Sequence, residues 1–594
     1  MKARNEMNPE FTWDFSDIYA SVEDWEKAVK AADDMIDGIP ALHGTLGDSA
    51  DSLKKALDTL FAAQEAAEKP YIYAMLFKSA DNSNPAAQEM EAKAVSLLVK
   101  LSTAASFVEP EIVAIPEETL NGYMAEPGLA TYRHVLEDTS RARAHTLDEK
   151  SERLLAQLGD AARTPDDCFT MLTTVDLEYP AIKDENGNEV RLTNGNMSVY
   201  RESRDRSVRE ATFEGFFGTY RKYINTIAAM YSGSVKLDSY YASVRGYGSA
   251  CEKALDGGNV PVSVYDSLVE AVHGALPAMK KYLALRKKAL GLEKIDMFDL
   301  YAPMVDDVDF TVKFEQAKEL VKKATEPLGK RYGELLDEAY ANRWMDVYEN
   351  KGKTSGAFSC GVYGVHPYVL LNYTDTLDDA FTVAHELGHA MHSYLSSEKQ
   401  DYVNHDYRIM VAEVASTVNE VLLTMYLLKT ETDKKRRAYI LNHFLEGFRT
   451  TVFRQTLFAE FERKAHDAYQ SGTPLTAQTL CGIYKDLISE YYDGIGINDI
   501  MQYEWAYVSH FYRAYYVYQY ATGFSSAVAI VRRILDTGDA SGYLEFLTLG
   551  GSDYPLEELK VAGIDLTRPD AVASALKTFS DTVDELDALL AEID

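Results

Sequence analysis

Between Pro367 and Pro474 the chain contains no proline, and apolar residues recur at helical spacing through most of that stretch. Proline inside a helix removes a hydrogen bond and clashes with the preceding turn, so its absence over such a length permits long uninterrupted helices. The same reading extends outward. Val22–Ile36 and Ala50–Glu68 carry helical patterns, and Asn82-Ser-Asn-Pro85 marks a break between helices. Two places depart from it. Leu177–Lys183 and Glu189–Thr193 flank an Asn186-Gly187 turn and predict a short hairpin. Tyr368–Tyr373, after the Gly-rich stretch Ser355–Gly364, predicts a further strand. At the C-terminus, Phe579–Asp594 reads as an acidic amphipathic docking helix with Val583, Leu586, Leu590 and Ile593 on one side. No repeat of fixed period and no low-complexity tract interrupts this pattern.

Inside the proline-free stretch, residues 385–389 read His385-Glu386-Leu-Gly-His389, the H-E-x-x-H signature of zinc hydrolases. Positions four apart share one face of a helix, so both imidazoles can converge on one cation. Val383, Leu387, Ala390, Met391 and Tyr394 form the opposite, apolar side. Glu386 projects to the flank, where it can take a proton from an activated water without ligating the metal. A hydrolytic zinc takes three protein ligands and keeps one position open. His392 is a poor third ligand, because seven residues advance a helix by about 10 Å while ligands sit about 2 Å from zinc. Its role is packing or support. The stretch Arg408–Leu428 is apolar on nearly every side yet carries Glu413, and a buried carboxylate calls for a compensating cation. Glu413 is the favoured third ligand, with Glu420 its rival.

Composition narrows the partners. The 594 residues hold 60 basic and 93 acidic side chains, a net charge of −33, which disfavours nucleic acid and anionic membrane surfaces. The length calls for several packed lobes. No run of 18 apolar residues suggests a membrane span, and the first residues hold no signal-peptide pattern. Cys168, Cys251, Cys360 and Cys481 lie far apart without a CxxC pair, the usage of free thiols in a reducing cytoplasm. A cytoplasmic location is the expectation.

A tetrahedral oxyanion would need donors besides the metal. Residues 510–523 supply candidates in His510, Tyr512, Tyr515, Tyr516, Tyr518 and Tyr520, although tyrosines outnumber phenylalanines 40 to 23 overall and many must simply pack.

These motifs resemble the oligoendopeptidase F group of the thimet-type zinc metallopeptidases. The resemblance rests on Tyr363–Tyr373, His385–His392, Val411–Glu420, Phe448–Thr456 and His510–Gly523. Trp13–Tyr19, Arg245–Tyr247 and Gly550–Ser552 extend it over nearly the whole chain. It implies a mostly α fold: a zincin-like catalytic core with a small β-sheet, inside a two-lobed helical ellipsoid enclosing a deep channel. The corresponding division is an N-terminal helical lobe (1–115), a family-specific domain with the hairpin (116–200) and the catalytic domain (201–594). The resemblance supports one Zn2+ per chain on His385, His389 and Glu413, with Glu386 as base. It matches His510 and Tyr518 to positions touching substrate or the oxyanion. The gap from His510 to the tyrosines is shorter than in the thimet branch, which leaves open the carry-over of Tyr515 as a further catalytic phenol and of Tyr512 as a substrate contact, and with it which tyrosine of 512–520 serves the oxyanion. It also implies that Gly361, Tyr363, Tyr368 and Val369 line the channel, a strand edge there pairing with the peptide backbone. The activity implied is endopeptidase cleavage of short oligopeptides. An exopeptidase and a non-catalytic, metal-containing peptide-binding protein are the alternatives.

Overall fold

The computed structural model describes residues 1–305 and 310–593. The chain groups into two compact units that interleave along the sequence: Met1–Ala144, Phe310–Tyr426 and Ile530–Ile564 in the first, His145–Asp309, Leu427–Ala529 and Asp565–Asp594 in the second. Both are mostly helical.

In the first unit, helices Val22–Ile36, Ala50–Ala80 and Pro85–Ala105 pack around a core that includes Ile36, Leu53, Leu57, Leu101 and Ile112. Their starts follow the capping residues in the sequence. Ser21, Ser49 and Asn84 each accept a backbone hydrogen bond from the first turn. The second of these helices runs past Glu68 and through Pro70, farther than the sequence pattern suggests. Beyond the proline, Ile72, Tyr73 and Leu76 are buried against Trp13, Trp25 and Tyr368, and that burial outweighs the lost helix bond.

A three-stranded sheet lies in the same unit. Tyr368–Leu370 is its central strand, parallel to Met345–Asp346 and antiparallel to Phe358–Cys360. The Trp13 indole N–H lies 3.1 Å from Trp344 O and 2.9 Å from Val369 O, fastening the N-terminal segment to two strands. From this sheet the chain turns at Thr376, whose side chain caps Asp379 N–H, into the motif helix Leu377–Lys399. The return helix follows, over Ile409–Thr430. Its length and hydropathy would suit a membrane span, but most of its apolar part is buried within the protein, and it carries Glu413 and Glu420.

The second unit holds the hairpin, Ala181–Lys183 paired with Glu189–Arg191, with Gly187 at φ 78° in its turn. Its long helices include Arg206–Lys222, Ile224–Val244, Val262–Ala289 and Arg454–Gln470. The C-terminal helix begins earlier than its sequence pattern, at Asp570, and is described to Ile593; Asp594 lies outside the described residues. It docks through Phe579, whose ring centre is 5.9 Å from Tyr282 and 5.0 Å from Phe453.

Candidate metal centre

The site begins with a glycine. Gly388 sits where the motif helix meets the return helix, and a Cβ there would lie 2.5 Å from Ser416 Cα and 2.6 Å from Ala415 O. Only a residue without a side chain lets the two backbones approach so closely. Asn419 reinforces the crossing, donating to Ala384 O at 3.0 Å and accepting from Tyr332 Oη at 2.9 Å.

That crossing brings two carboxylates of the return helix against the histidines of the motif helix. His385 Nε2 lies 3.2 Å from His389 Nε2 and 3.5 Å from Glu413 Oε2, and His389 Nε2 lies 3.7 Å from the same oxygen. Zinc–ligand bonds of about 2.0–2.1 Å in a tetrahedron put neighbouring ligand atoms about 3.3 Å apart. The three atoms form a triangle of that size, so the donor set fits a tetrahedral cation with a fourth position to spare. Among the described residues this is the one His/Cys/Asp/Glu group with such geometry.

Glu420 occupies a different place from its rival. Its Oε1 meets His385 Nδ1, the nitrogen turned away from the triangle. A carboxylate in that position fixes the tautomer and the ring plane of a ligating histidine. His389 is held by a hydrogen bond to the Ala412 backbone.

Glu386 is 6% exposed, and burial pushes its carboxyl up to about 7. Its neighbour His385 opposes that shift, while Glu413 and Glu420 add to it. Burial pulls His385 down, but its Glu420 hydrogen bond and the surrounding carboxylates outweigh burial and raise it to about 9. His389 goes the other way, to about 3, through burial and the nearby His385 charge. His392 is buried with its ring stacked on Tyr407 at 3.7 Å, and burial pushes it down to about 3. It packs behind the site, where Tyr407 Oη also meets Ser393 Oγ at 2.9 Å.

Gly361 abuts the motif helix, since a Cβ would lie 2.9 Å from Ser393 Cβ. Tyr363 donates to Gln400 O at 3.1 Å, at the end of that helix. Tyr368 and Val369 are buried, and their strand is hydrogen-bonded on both sides. The strand edge expected at Tyr368–Tyr373 therefore does not lie at Tyr368–Leu370. Phe358–Cys360, immediately before Gly361, is an edge strand of this sheet, because it pairs on one side only.

His510 and the tyrosines belong to the second unit. The rings nearest His510 are Tyr516 and Tyr520, at 5.5 and 5.8 Å, with Tyr520 Oη 3.5 Å from His510 Nε2. Burial, with Arg513 adding to it, holds the His510 imidazole below its usual range. Tyr518 is buried, with its ring 5.3 Å from Tyr265. Tyr515 stands at φ 57°, its ring buried beside Tyr265 and its N–H donating to Glu462 at 2.7 Å. Tyr512 stacks on Phe169 at 4.6 Å. Tyr520, one of the candidate phenols in this run, is brought to His510 across a turn, a pairing that spacing along the chain does not reveal.

Comparison with known proteins agrees with this architecture. Residues 199–578 match the model of peptidase family M3, and residues 111–179 match that of oligopeptidase F. The oligopeptidase PepF of Bacillus subtilis strain 168 is 43% identical over 594 residues, covering 99% of this chain and 89% of that protein. A crystal structure from Chlamydophila abortus is 33% identical with a TM-score of 0.93, covering 99% of this chain and 100% of that one. The crystal structure of oligoendopeptidase-F from Enterococcus faecium is 35% identical with a TM-score of 0.75, covering 96% and 99%.

Substituting Gly388→Ala should force the helices apart. Overpacking of this kind costs about 1–3 kcal/mol. Thermal unfolding should show a lowered Tm, and the variant should take up added divalent metal more weakly than the wild type. A variant matching the wild type in both would break the link between the crossing and the ligand triangle.

Proposed function

The chain belongs to peptidase family M3, a metallopeptidase family acting on oligopeptides, and on that premise we propose a zinc-dependent endopeptidase that cuts internal bonds of short peptides. The observation carrying this reading is the triangle of His385 Nε2, His389 Nε2 and Glu413 Oε2, sized for a tetrahedral ion. Those three side chains would hold the metal, and Glu420 would orient His385. A zinc ion bound there would supply Lewis acidity, polarising the scissile carbonyl and easing deprotonation of the attacking water.

The remaining steps fall to this chain's side chains. Glu386, one residue from a ligand and nearly enclosed, is the proton carrier. Its carboxylate accepts the proton of the attacking water as the C–O bond forms. The same carboxyl then delivers that proton to the amide nitrogen as the C–N bond breaks. Burial brings the carboxyl close to neutrality, which suits a group that must first accept and then donate. His510 and a phenol of the 512–520 segment are assigned to substrate or oxyanion contact. The free edge at Phe358–Cys360, leading into Gly361, is assigned to backbone pairing with the peptide. The expected division into residues 1–115, 116–200 and 201–594 and the cytoplasmic location belong to the same reading.

Glu386→Gln should bind about one zinc per chain and cleave an internally quenched peptide with kcat lowered about a hundredfold to ten-thousandfold. Equal cleavage by the variant would remove Glu386 from the mechanism. A peptide blocked at both termini should still be cut, at an internal bond seen by mass spectrometry. Failure to cut it, with cleavage of the unblocked peptide, would favour an exopeptidase.

Glu413→Ala should abolish zinc binding. Glu420→Ala should retain zinc with affinity weakened about tenfold to a hundredfold, as expected of a partner to a ligating histidine. Metal titration distinguishes them, and the opposite ranking would exchange their roles.

A further inference from the structure

A second candidate site lies wholly within the second unit. A cavity of about 470 Å3 is walled by aromatic rings, among them Phe213, Phe216, Phe217 and Tyr220. Its polar end is a cluster of guanidiniums around Tyr301. Arg201 lies 4.0 Å and Arg449 4.6 Å from the Tyr301 ring centre, and Arg454 Nη1 donates to Tyr301 Oη at 2.9 Å.

The cluster is unevenly neutralised. Arg454 pairs with Glu504 at 2.6 Å, and Arg449 pairs with Glu446, which Arg286 shares at 3.2 Å. Arg201 has no acidic partner among the described residues, and its buried Nε has no hydrogen-bond acceptor. A guanidinium carries five donors and stays charged, so a half-buried one whose Nε is shut off without an acceptor and that faces no carboxylate among the described residues favours an anion beside it. The phenols point the same way. The oxygens of Tyr301 and Tyr507 each accept from Arg454, at 2.9 and 2.7 Å, which leaves both phenol protons to donate. Burial pushes the Tyr301 phenol up, yet Arg454, Arg449 and Arg201 together bring it below its usual value. The local field favours negative charge in a protein whose net charge is −33.

The backbone around the cavity is unusual. The described chain has two π-helical stretches, Leu172–Asp176 and Phe448–Phe453. The first supplies Thr173 and Thr174 to the wall, and the second leads directly into Arg454. Such turns widen a helix at the cost of its regular bonding and recur at functional sites. Ser509, beside His510, completes the lining.

We infer that this cavity is a subsite for the C-terminal carboxylate of a peptide, with Arg201, Tyr301 and Tyr507 as donors and the aromatic wall taking the terminal side chain. One unanswered positive charge in the lining suits a monoanionic carboxylate, which a guanidinium grips through paired hydrogen bonds. The apolar wall suits an amino-acid side chain better than a bare inorganic ion. This inference rests on the peptidase reading and deepens it by giving the substrate a fixed end.

The test uses two quenched peptides identical except for a free acid or an amide at the C-terminus. Wild-type enzyme should favour the acid about tenfold in kcat/KM, the worth of a charged hydrogen bond. In Arg201→Gln the acid-to-amide ratio should fall to about one, and Arg201→Lys should restore part of it. A ratio measured within one protein is insensitive to the amount of folded enzyme. Equal wild-type rates on the two peptides, or a preference surviving in Arg201→Gln, would overturn the subsite while leaving the peptidase reading intact. Absence of cleavage of either peptide would overturn both. In a third arm, sulfate or chloride is added at constant ionic strength. Stimulation of amide cleavage by either salt, lost in Arg201→Gln, would assign the cavity to a free inorganic anion and overturn the peptide assignment.

Discussion

The approach of two helices at Gly388 is the constraint on which the metal centre depends. The backbone of Ala415 and Ser416 occupies the space that any side chain at position 388 would need. Because the helices touch there, Glu413 and Glu420 reach His385 from its two nitrogens. The distances among His385 Nε2, His389 Nε2 and Glu413 Oε2 then follow from helix geometry and from one glycine. Asn419 adds a polar tie at the same crossing, and its own remaining acceptor is satisfied by Tyr332. A shift of the return helix would move both carboxylates together.

Much of this centre is legible in the amino-acid order, because its logic is local. The spacing of His385 and His389 places them on one helix face, and the apolar surroundings of Glu413 mark it as a carboxylate needing a partner. What the order could not decide is how Glu413 and Glu420 divide the work. They are seven residues apart, about two helical turns, and so face the same neighbour. Only the position of the crossing determines which reaches Nε2 and which reaches Nδ1. Strand pairing has the same difficulty. Tyr368–Leu370 reads as a strand in isolation, but its central place depends on Met345–Asp346 and Phe358–Cys360. Pro70 likewise looks like a helix end until the burial of Ile72, Tyr73 and Leu76 is known.

The second unit shows the limit more strongly. The Arg201 cavity gathers residues from near positions 170, 200, 300, 450 and 505, and no local pattern connects them. Arginines on an acidic chain read as ordinary surface pairing until one is found without a counter-charge. Tyr515 illustrates a related point. It stands at positive φ and packs on Tyr265, as Tyr518 does, whereas Tyr516 and Tyr520 face His510, so tyrosines in a single run meet different surroundings. The metal centre announces itself through spacing along one helix, whereas the cavity is assembled from distant parts of the chain.

Anomalous diffraction at the zinc edge from crystals of the zinc-loaded protein would place the ion among these side chains. One ion per chain should appear, bonded at about 2.0–2.2 Å to His385 Nε2, His389 Nε2 and a Glu413 oxygen. Glu420 should remain on His385 Nδ1, outside the coordination sphere. An ion bonded to Glu420 in place of Glu413, or seated away from both histidines, would contradict that placement.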